Sequence, residues 1–438
     1  MKPLFIISCP IDTYSGYGAR SRDIVRAVIN SNKYEVKILP QRWGNTPWGF
    51  IEDHPEKWGF LTPHLLPIGN QLPKQPEIWA QVTVPNEFQT IGKFNIGITA
   101  GIETTICAPQ WIDGMNRMDV NLVSSEHSKQ VFLNSNFEQR EQHTNRLIKD
   151  IKIEKPIEVL FEGVDLDTYF PTKSTFNLNE IKEDFAYLFM GHWMQGALGE
   201  DRKNVGLVVK TFYETFKNKK KPPALILKTS VSGTSYLGRE QILERIETIR
   251  SSIKNARILP NIYLLHGEFS DEEVNQIYNH KKVKAMISLT KGEGYGRPLA
   301  EFSLTKKPII ATNWSGHLDF LNPEFTTLIQ GELKQVHKSS VQKDMILAES
   351  QWFSPNAGEA AYYLREIFEN YKPFKEKAVR QAYQIKSKFS FNDMSVLLDN
   401  IITNYTPEFP KQMELKLPDL KLPNLEKQKF PNLEPSDA

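Results

Sequence analysis

Only two cysteines, Cys9 and Cys107, occur in 438 residues. Both sit in or beside apolar, strand-like runs, and neither has the spacing of a metal-binding set, so they read as buried, reduced thiols. No apolar run approaches the roughly 18 residues that cross a bilayer. The opening Met1-Lys2-Pro3-Leu4-Phe5-Ile6-Ile7 is too short in apolar residues for a signal peptide and soon meets Pro10 and Asp12. The expected compartment is the cytoplasm, of a cell or of a host. An excess of either charge is also missing. Lys and Arg number 54 against 52 Asp and Glu, a formal net charge of +2, so no global field recruits a polyanion. The one short basic run, Lys219-Lys220-Lys221, is followed by two prolines. What remains is an ordinary globular composition, 40% hydrophobic and 24% charged, with length for two or three domains at about 150 residues each.

Strand-like and helical stretches alternate along most of the chain. Phe5-Ile6-Ile7-Ser8 predicts a first buried strand, Gly16 and Gly18 a loop, Ser21 to Ile29 a helix, and Val36 to Pro40 a second strand. Residues 43–75, rich in Trp, Pro and Gly, read as an insertion or long loop. Asn95 to Thr99 and Val120 to Ser124 are further strands, and the charged stretch 137–157 is surface. A second series begins at Tyr187 to Gly191. It continues through helix 203–216, strand Ala224 to Lys228, helix 239–253, strand Ile262 to Leu265 and helix 271–279. Such alternation implies doubly wound parallel sheets, with ligands at the carboxyl ends of the strands.

The most informative stretch runs from Lys284 to Phe320. A strand-like run, Ala285 to Leu289, feeds Gly292-Glu293-Gly294-Tyr295-Gly296-Arg297-Pro298-Leu299-Ala300-Glu301, and a second apolar run, Pro308 to Ala311, follows. Glycines let a ligand approach the backbone, Pro298 suits the first turn of a helix, and a helix N-terminus favours phosphate. Glu293 and Glu301 offer carboxylates to hydroxyls, one to a sugar and the other to the vicinal diol of a ribose. A nucleotide sugar carries all of these groups. Taken alone, three alternate glycines mean only a tight turn; the strand before, the helix after and the strand beyond are the context that a phosphate site requires.

This Glu-x7-Glu segment resembles the donor-site motif of the family-four retaining glycosyltransferases, the group 1 glycosyltransferases with the GT-B fold. Val159-Leu160-Phe161-Glu162-Gly163-Val164-Asp165 and its continuation to Pro171 resemble the segment entering that family's second domain. Leu264 to Glu273 resembles the strand and helix upstream of the donor loop, and Ser15-Gly16-Tyr17-Gly18 the first glycine loop. The resemblance covers most of residues 4–400. It implies an N-terminal Rossmann-like acceptor domain over 1–170 and a nucleotide-sugar donor domain over 171–374. A crossover helix over 375–404 would return to the first domain, and 405–438 would be an extended Pro-rich tail.

The resemblance also assigns roles. Glu293 would hold sugar hydroxyls and Glu301 ribose, while Gly294, Tyr295, Gly296, Arg297 and Leu299 supply the donor loop and Gly16 and Gly18 the facing glycine loop. Cations should meet the leaving diphosphate. The family carries an arginine and a lysine after the strand at 187–191; here His192 follows the glycine, and Arg202-Lys203 comes only after an inserted run. Arg202 and Lys203 are the candidates, with Lys228 at its strand end; solvated surface charge is their plainer reading. Glu103 follows the strand at 95–99, near where the family commonly has a histidine, and either orients an acceptor or caps a helix. Gly316 and His317 either touch the sugar or form a turn. Asp165-Leu166-Asp167 imitates a metal-binding Asp-x-Asp, but its Gly-Val-Asp setting suits a domain junction, so no metal and no cofactor is expected.

The sequence reading is therefore a transferase moving a sugar from a nucleotide-diphosphate sugar to an acceptor hydroxyl, with retention. The acceptor stays open among glycan, lipid-linked glycan, protein and modified DNA base. Rival readings are a non-catalytic sugar- or protein-binding relative and a dinucleotide-dependent oxidoreductase, which lacks the third glycine because Ser21 stands there. A glycosidase fits poorly, since its two carboxylates must flank the scissile bond. The tail nearly repeats Leu-Lys-Leu-Pro at 415–418 and 420–423. Its prolines exclude a continuous helix, leaving a disordered tail or a docking strip over 411–433 for its own domain, a second subunit or a partner.

Overall fold

The computed structural model describes residues 2–409, except 68, 70, 71, 73, 142, 195–197 and 232. The docking strip expected over 411–433 lies outside the described residues. Two six-stranded sheets organise the chain up to Thr406. The first contains β1 (Leu4–Cys9), β2 (Glu35–Pro40), β3 (Ile78–Val82), β4 (Phe94–Thr99), β5 (Val120–Val123) and β6 (Ile157–Val159), in the order β2-β1-β3-β4-β5-β6. The second contains β7 (Ala186–Met190), β8 (Ala224–Lys228), β9 (Ile262–Leu265), β10 (Val283–Ser288), β11 (Ile309–Thr312) and β12 (Thr327–Ile329), in the order β9-β8-β7-β10-β11-β12. All pairings within both sheets are parallel.

Parallel strands are covered on both faces, so they carry continuous rather than alternating apolar runs. In β7, Tyr187 and Phe189 pack against helices on one face, among Val208, Phe212, Ile242 and Leu364. Leu188 points to the other face, with Tyr278, Leu299, Phe302 and Ile385. These residues belong to helices Val205–Phe216, Tyr236–Ser251 and Ala357–Glu369 on the first face, and Asp271–Asn279, Arg297–Ser303 and Tyr371–Lys388 on the second. Full burial of such rings contributes on the order of 1.5–3 kcal/mol each before entropy is counted. Among the described residues, no helix is long and apolar enough to cross a membrane.

The structure corrects some of these expectations and adds elements to others. The first helix, α1, spans Gly16–Asn30 and not Ser21 to Ile29, because the Ser15 side chain caps it by accepting from Gly18 N at 2.9 Å; Gly16 and Gly18 are helical, not a loop. The strand β3 was not foreseen. Its Gln81 is buried, but its amide nitrogen donates to Glu87 O (3.0 Å) and its oxygen accepts from Gln89 N (2.9 Å), which satisfies a polar residue inside a central strand. Residues 43–75 hold short helical turns, Phe50–Asp53, Pro55–Trp58 and Gly59–His64, and the surface stretch 137–157 holds an exposed hairpin, Phe137–Arg140 with Leu147–Ile151. The last helical stretch is two helices, Tyr371–Lys388 and α2 (Phe391–Tyr405). Ser390 starts the second with a capping box to Asp393. The break pairs with the segment after β6: Val164 N donates to Phe389 O and Phe391 N to Val164 O, both at 2.8 Å. Helix α2 packs on α1, where Lys33 and Asp399 approach to 2.7 Å.

Candidate functional site

In each sheet the strand order reverses once, between β1 and β3 and between β7 and β10. Loops leaving neighbouring strands at such a point diverge and open a crevice. The two crevices face each other across one cavity of about 480 Å³. From the first sheet come Gly16 and Tyr17 after β1, Val82 at the end of β3, and Thr99, Ala100 and Glu103 at and after the end of β4. From the second come Met190 to His192 after β7, Lys228 to Ser230 after β8, and Glu293 to Pro298 after β10.

Two hydrogen bonds hold the basic pair beside the glycine-rich loop. Lys291 N donates to Arg202 O (2.8 Å) and Asn204 Nδ2 to Leu289 O (3.0 Å), which fastens the segment before helix Val205–Phe216 to the end of β10. Lys203 Nζ then lies 2.7 Å from both oxygens of Glu293. Arg202 Nη1 donates to Gly292 O (2.7 Å), lies 3.1 Å from Glu103, and lies 3.5 Å from Glu293. Burial pushes the Glu293 carboxyl up, but Lys203 and Arg202 outweigh it and hold it at about 2. The carboxylate is therefore ionised, and four charged side chains from both sheets meet at one point.

A second network stands behind the loop. Gly296 has φ of 103°, a left-handed conformation that favours glycine, and it turns the chain into helix Arg297–Ser303. Arg297 bonds Asp23 of α1 at 2.7 Å and approaches Glu162 at 3.4 Å and Glu301 at 3.7 Å. Glu301 accepts from the Tyr278 hydroxyl at 3.1 Å. Burial raises the Glu301 carboxyl to about 7, with Arg297 only partly offsetting it. Ser124 Oγ after β5 donates to Gly294 O at 2.9 Å, another bond between the two sheets' loops.

Of the residues expected at a site, Glu293, Arg202, Lys203, Glu103, Gly294, Tyr295, Gly296, Arg297, Gly16 and Lys228 line this cavity. Glu301, Leu299, Gly18, Gly316 and His317 do not. Leu299 is core. A Cβ on Gly18 would stand 2.3 Å from Thr13 O, whereas none lies within 4 Å at Gly16, so the two glycines do different work. Gly316 backs onto the glycine-rich loop, where a Cβ would meet Gly294 O at 2.1 Å. His317 is fully buried, its Nε2 donating to Thr312 O at 2.6 Å. These two residues support the loop from behind. Asp165, from the metal-like Asp-x-Asp, bonds Arg26 at 2.9 Å and accepts from Asp167 N at 3.0 Å.

Several wall residues escaped sequence reasoning. Trp43 stacks on Tyr17 at 3.9 Å, and the Tyr17 hydroxyl is tied to Thr99 Oγ and Ala100 N, both at 3.0 Å. Arg20 donates to the carbonyls of Leu160 and Phe161. Glu162 carried a signal, since it stands within the recognised Glu-Gly-Val-Asp segment. Thr229 and Ser230 follow directly on Lys228, so extending that strand by two residues would have found them.

No family model and no curated protein matches this chain. Solved structures do. A glycosyltransferase of Rickettsia africae ESF-5 superposes with a TM-score of 0.60 at 15% identity, over 92% of this chain and 98% of that one. HepE of Anabaena, solved with UDP and glucose, gives 0.58 at 12% identity over 92% and 100%. A sucrose-phosphate synthase of Thermosynechococcus elongatus gives 0.58 at 11% over 92% and 99%. The fold is GT-B. In this GT-B chain the cavity occupies the cleft between the two sheets, and its walls come from both, more of them from the second.

Proposed function

We propose that this chain is a glycosyltransferase that moves a sugar from a nucleotide-diphosphate sugar to an acceptor hydroxyl, with retention of configuration. One observation carries the reading: a single cleft collects the paired Glu293 and Lys203, the cations Arg202 and Lys228, and the glycine-rich loop on one wall, opposite Glu103, Tyr17 and Trp43 on the other. HepE was solved with UDP-glucose as well as with UDP, which supports a nucleotide-sugar donor here.

In this reading Glu293 holds sugar hydroxyls, and Lys203, Arg202 and Lys228 meet the diphosphate. The acceptor, whether glycan, lipid-linked glycan, protein or modified DNA base, enters along the first-sheet wall, where Glu103 orients it. The acceptor oxygen bonds to the anomeric carbon on the face that the leaving group departs. The carbon–oxygen bond to phosphate breaks with its electron pair going to the diphosphate, and a leaving phosphate oxygen takes the acceptor proton. Fixed cations beside that oxygen stabilise the charge where it develops. Closure of the cleft limits hydrolysis. Glu301 holds the ribose in this reading, which requires Arg297 and Tyr278 to release it.

The test is a thermal-shift panel of nucleoside diphosphates and nucleotide sugars, with Lys203→Met alongside. Binding at a hundred times the dissociation constant stabilises by about 2.7 kcal/mol. The expected result is a shift with one nucleotide sugar that shrinks in the variant. No shift with any of them overturns the transferase reading.

A further inference from the structure

The turn after β11 places a serine in a backbone conformation that suits glycine. Ser315 has φ of 82° and ψ of −165°. Among the described residues, the other non-glycine residues with positive φ lie between 54° and 63°, and most are asparagine. Those values belong to the left-handed helical region, which asparagine visits at low cost. The Ser315 values lie outside it, where a side chain is strained and glycine is almost the sole occupant. Such strain persists where surrounding contacts over-determine the backbone, and here they do. Gly316 N donates to Glu293 O at 3.0 Å and Leu318 N to Ser315 O at 3.0 Å. Asp319, at the end of the same turn, accepts from Glu126 N after β5 at 2.8 Å. Glycine at 315 would relieve the strain. What glycine lacks is the hydroxyl, and Ser315 Oγ accepts from Glu293 N at 2.9 Å.

We propose that Ser315 is a positioning residue for Glu293, kept in a strained turn because its hydroxyl fixes the main chain of that acid. The inference rests on the transferase reading and adds to it a residue that does not touch the donor. Glu293 lies between Gly292 and Gly294, where a Cβ would meet Glu103 O at 2.5 Å and Ala100 O at 2.9 Å. Those contacts leave no room for side chains, so packing from either neighbour does not hold the Glu293 backbone, and hydrogen bonds do. Ser315 Oγ takes its N–H, and the Gly316 N–H takes its carbonyl. Together they fix the peptide planes on both sides of Glu293, and so the direction in which its side chain leaves the loop. When the carboxylate exchanges Lys203 for sugar hydroxyls, it then has only its own torsions to adjust. Without the hydroxyl, the N–H of a residue 7% exposed loses its partner, and the loop shifts to find another. A displacement of about 1 Å near a reacting centre is enough to lower affinity and rate. The loss falls on the sugar, because Lys203, Arg202 and Lys228 meet the diphosphate.

The experiment is calorimetric titration of the full chain with UDP, GDP and ADP and with their glucose and mannose conjugates. Wild type is compared with Ser315→Ala, which loses the hydroxyl and keeps the strain, and with Ser315→Gly, which loses both. Thermal midpoints are recorded for all three. The quantity read is the affinity for a nucleotide sugar relative to that for its own diphosphate. The expected result is a fall of about five- to ten-fold in this ratio in both variants, while Ser315→Gly melts above Ser315→Ala. Affinity then follows the hydroxyl and stability follows the strain, a separation that a merely structural serine does not produce. A ratio unchanged in both variants, or lost in Ser315→Ala and kept in Ser315→Gly, overturns the inference and leaves the transferase reading standing. Equal midpoints in the two variants overturn the strain at Ser315. Binding of diphosphates but of no nucleotide sugar by wild type overturns the inference, and absence of binding to every probe overturns the transferase reading with it.

Discussion

Lys203 Nζ stands 2.7 Å from each carboxylate oxygen of Glu293. The cation that meets phosphate in the proposed reaction is thus neutralised, in the empty cleft, by the acid that holds the sugar. Neither charge is free to attract a stray ion, and donor binding must divide the pair between two parts of one ligand. The pair is also largely buried, with side-chain exposures of 20% and 9%.

Breaking that pair has a signed pH consequence. The folded Glu293 carboxyl is depressed to about 2, below its unfolded value of about 4.3. Its contribution to stability is therefore present above about pH 4.3 and is lost as pH falls toward 2. Lys203→Met should cost about 1–3 kcal/mol at pH 7 and flatten the acid limb of a stability–pH curve measured by urea unfolding. Glu293→Gln should lower kcat by about a hundred-fold or more and should also lower the melt above pH 7, where the pair's contribution is fully present. An active Glu293→Gln enzyme would remove Glu293 from the sugar site.

Glu301 behaves in the opposite sense. Burial raises its carboxyl to about 7, so between about pH 4.3 and 7 the folded chain holds a proton that the unfolded chain has lost. Stability from this group is present below the unfolded value and declines as pH rises to 7. Glu301→Gln should accordingly raise the thermal midpoint at pH 8, by a stability gain of about 1–3 kcal/mol, and the gain should vanish at pH 4. If Glu301 holds ribose, the same variant binds nucleoside diphosphates more weakly than it binds pyrophosphate, relative to wild type. A variant that melts lower than wild type at pH 8 would show that the ionised carboxylate is favoured by the fold, and that burial does not raise this carboxyl.

Arg297 links Asp23 of α1 to the glycine-rich loop across 274 residues of sequence. Asp23 and Glu162 keep only 7% and 9% of their side-chain surface, and Arg297→Met would remove the nearest cation from both, leaving Asp23 with Arg26 at 3.6 Å. Removing one partner of such a group typically costs about 3–5 kcal/mol. The expected outcome is a large fall in the urea midpoint, partly restored by adding Asp23→Asn. No recovery in the double variant would mean that the loss comes from packing and not from uncompensated charge.

The parts legible in the sequence are those set by local pattern. Ala224 to Lys228 is an unbroken buried run, and the strand is found there to the residue; Ser270 with Glu273 marks the helix that starts at Asp271. The donor loop could be read because a strand, three glycines and Pro298 stand in a row. What could not be read depends on contacts across the fold. The Arg297–Asp23 bond leaves no local trace. The raised carboxyl of Glu301 comes from burial by parts of the chain distant in sequence, which Arg297 and the Tyr278 hydroxyl only partly offset. β3 was hidden by its own Gln81, whose partners Glu87 and Gln89 lie beyond the strand. The insertion at 43–75 looked like mere loop, yet it delivers Trp43 to the cleft.

The first glycine pair shows how the same letters can carry different constraints. Gly16-Tyr17-Gly18 suggests one glycine loop serving a ligand. In the fold, Gly18 packs so closely that a Cβ would meet Thr13 O at 2.3 Å and Thr13 Oγ at 2.7 Å, while Gly16 faces the open cavity. Gly18→Ala must push the backbone of the β1–α1 turn and loosen the Ser15 cap, at a cost of about 1–3 kcal/mol. Gly16→Ala should leave the melt unchanged, since α1 already has helical geometry there and alanine suits a helix better than glycine. Its added methyl enters the cavity beside Tyr17. The expected outcome is therefore a separation: Gly18→Ala lowers the thermal midpoint, whereas Gly16→Ala keeps the midpoint and changes only ligand affinity. Equal destabilisation by both would place Gly16 in the packed turn and not on the cavity wall.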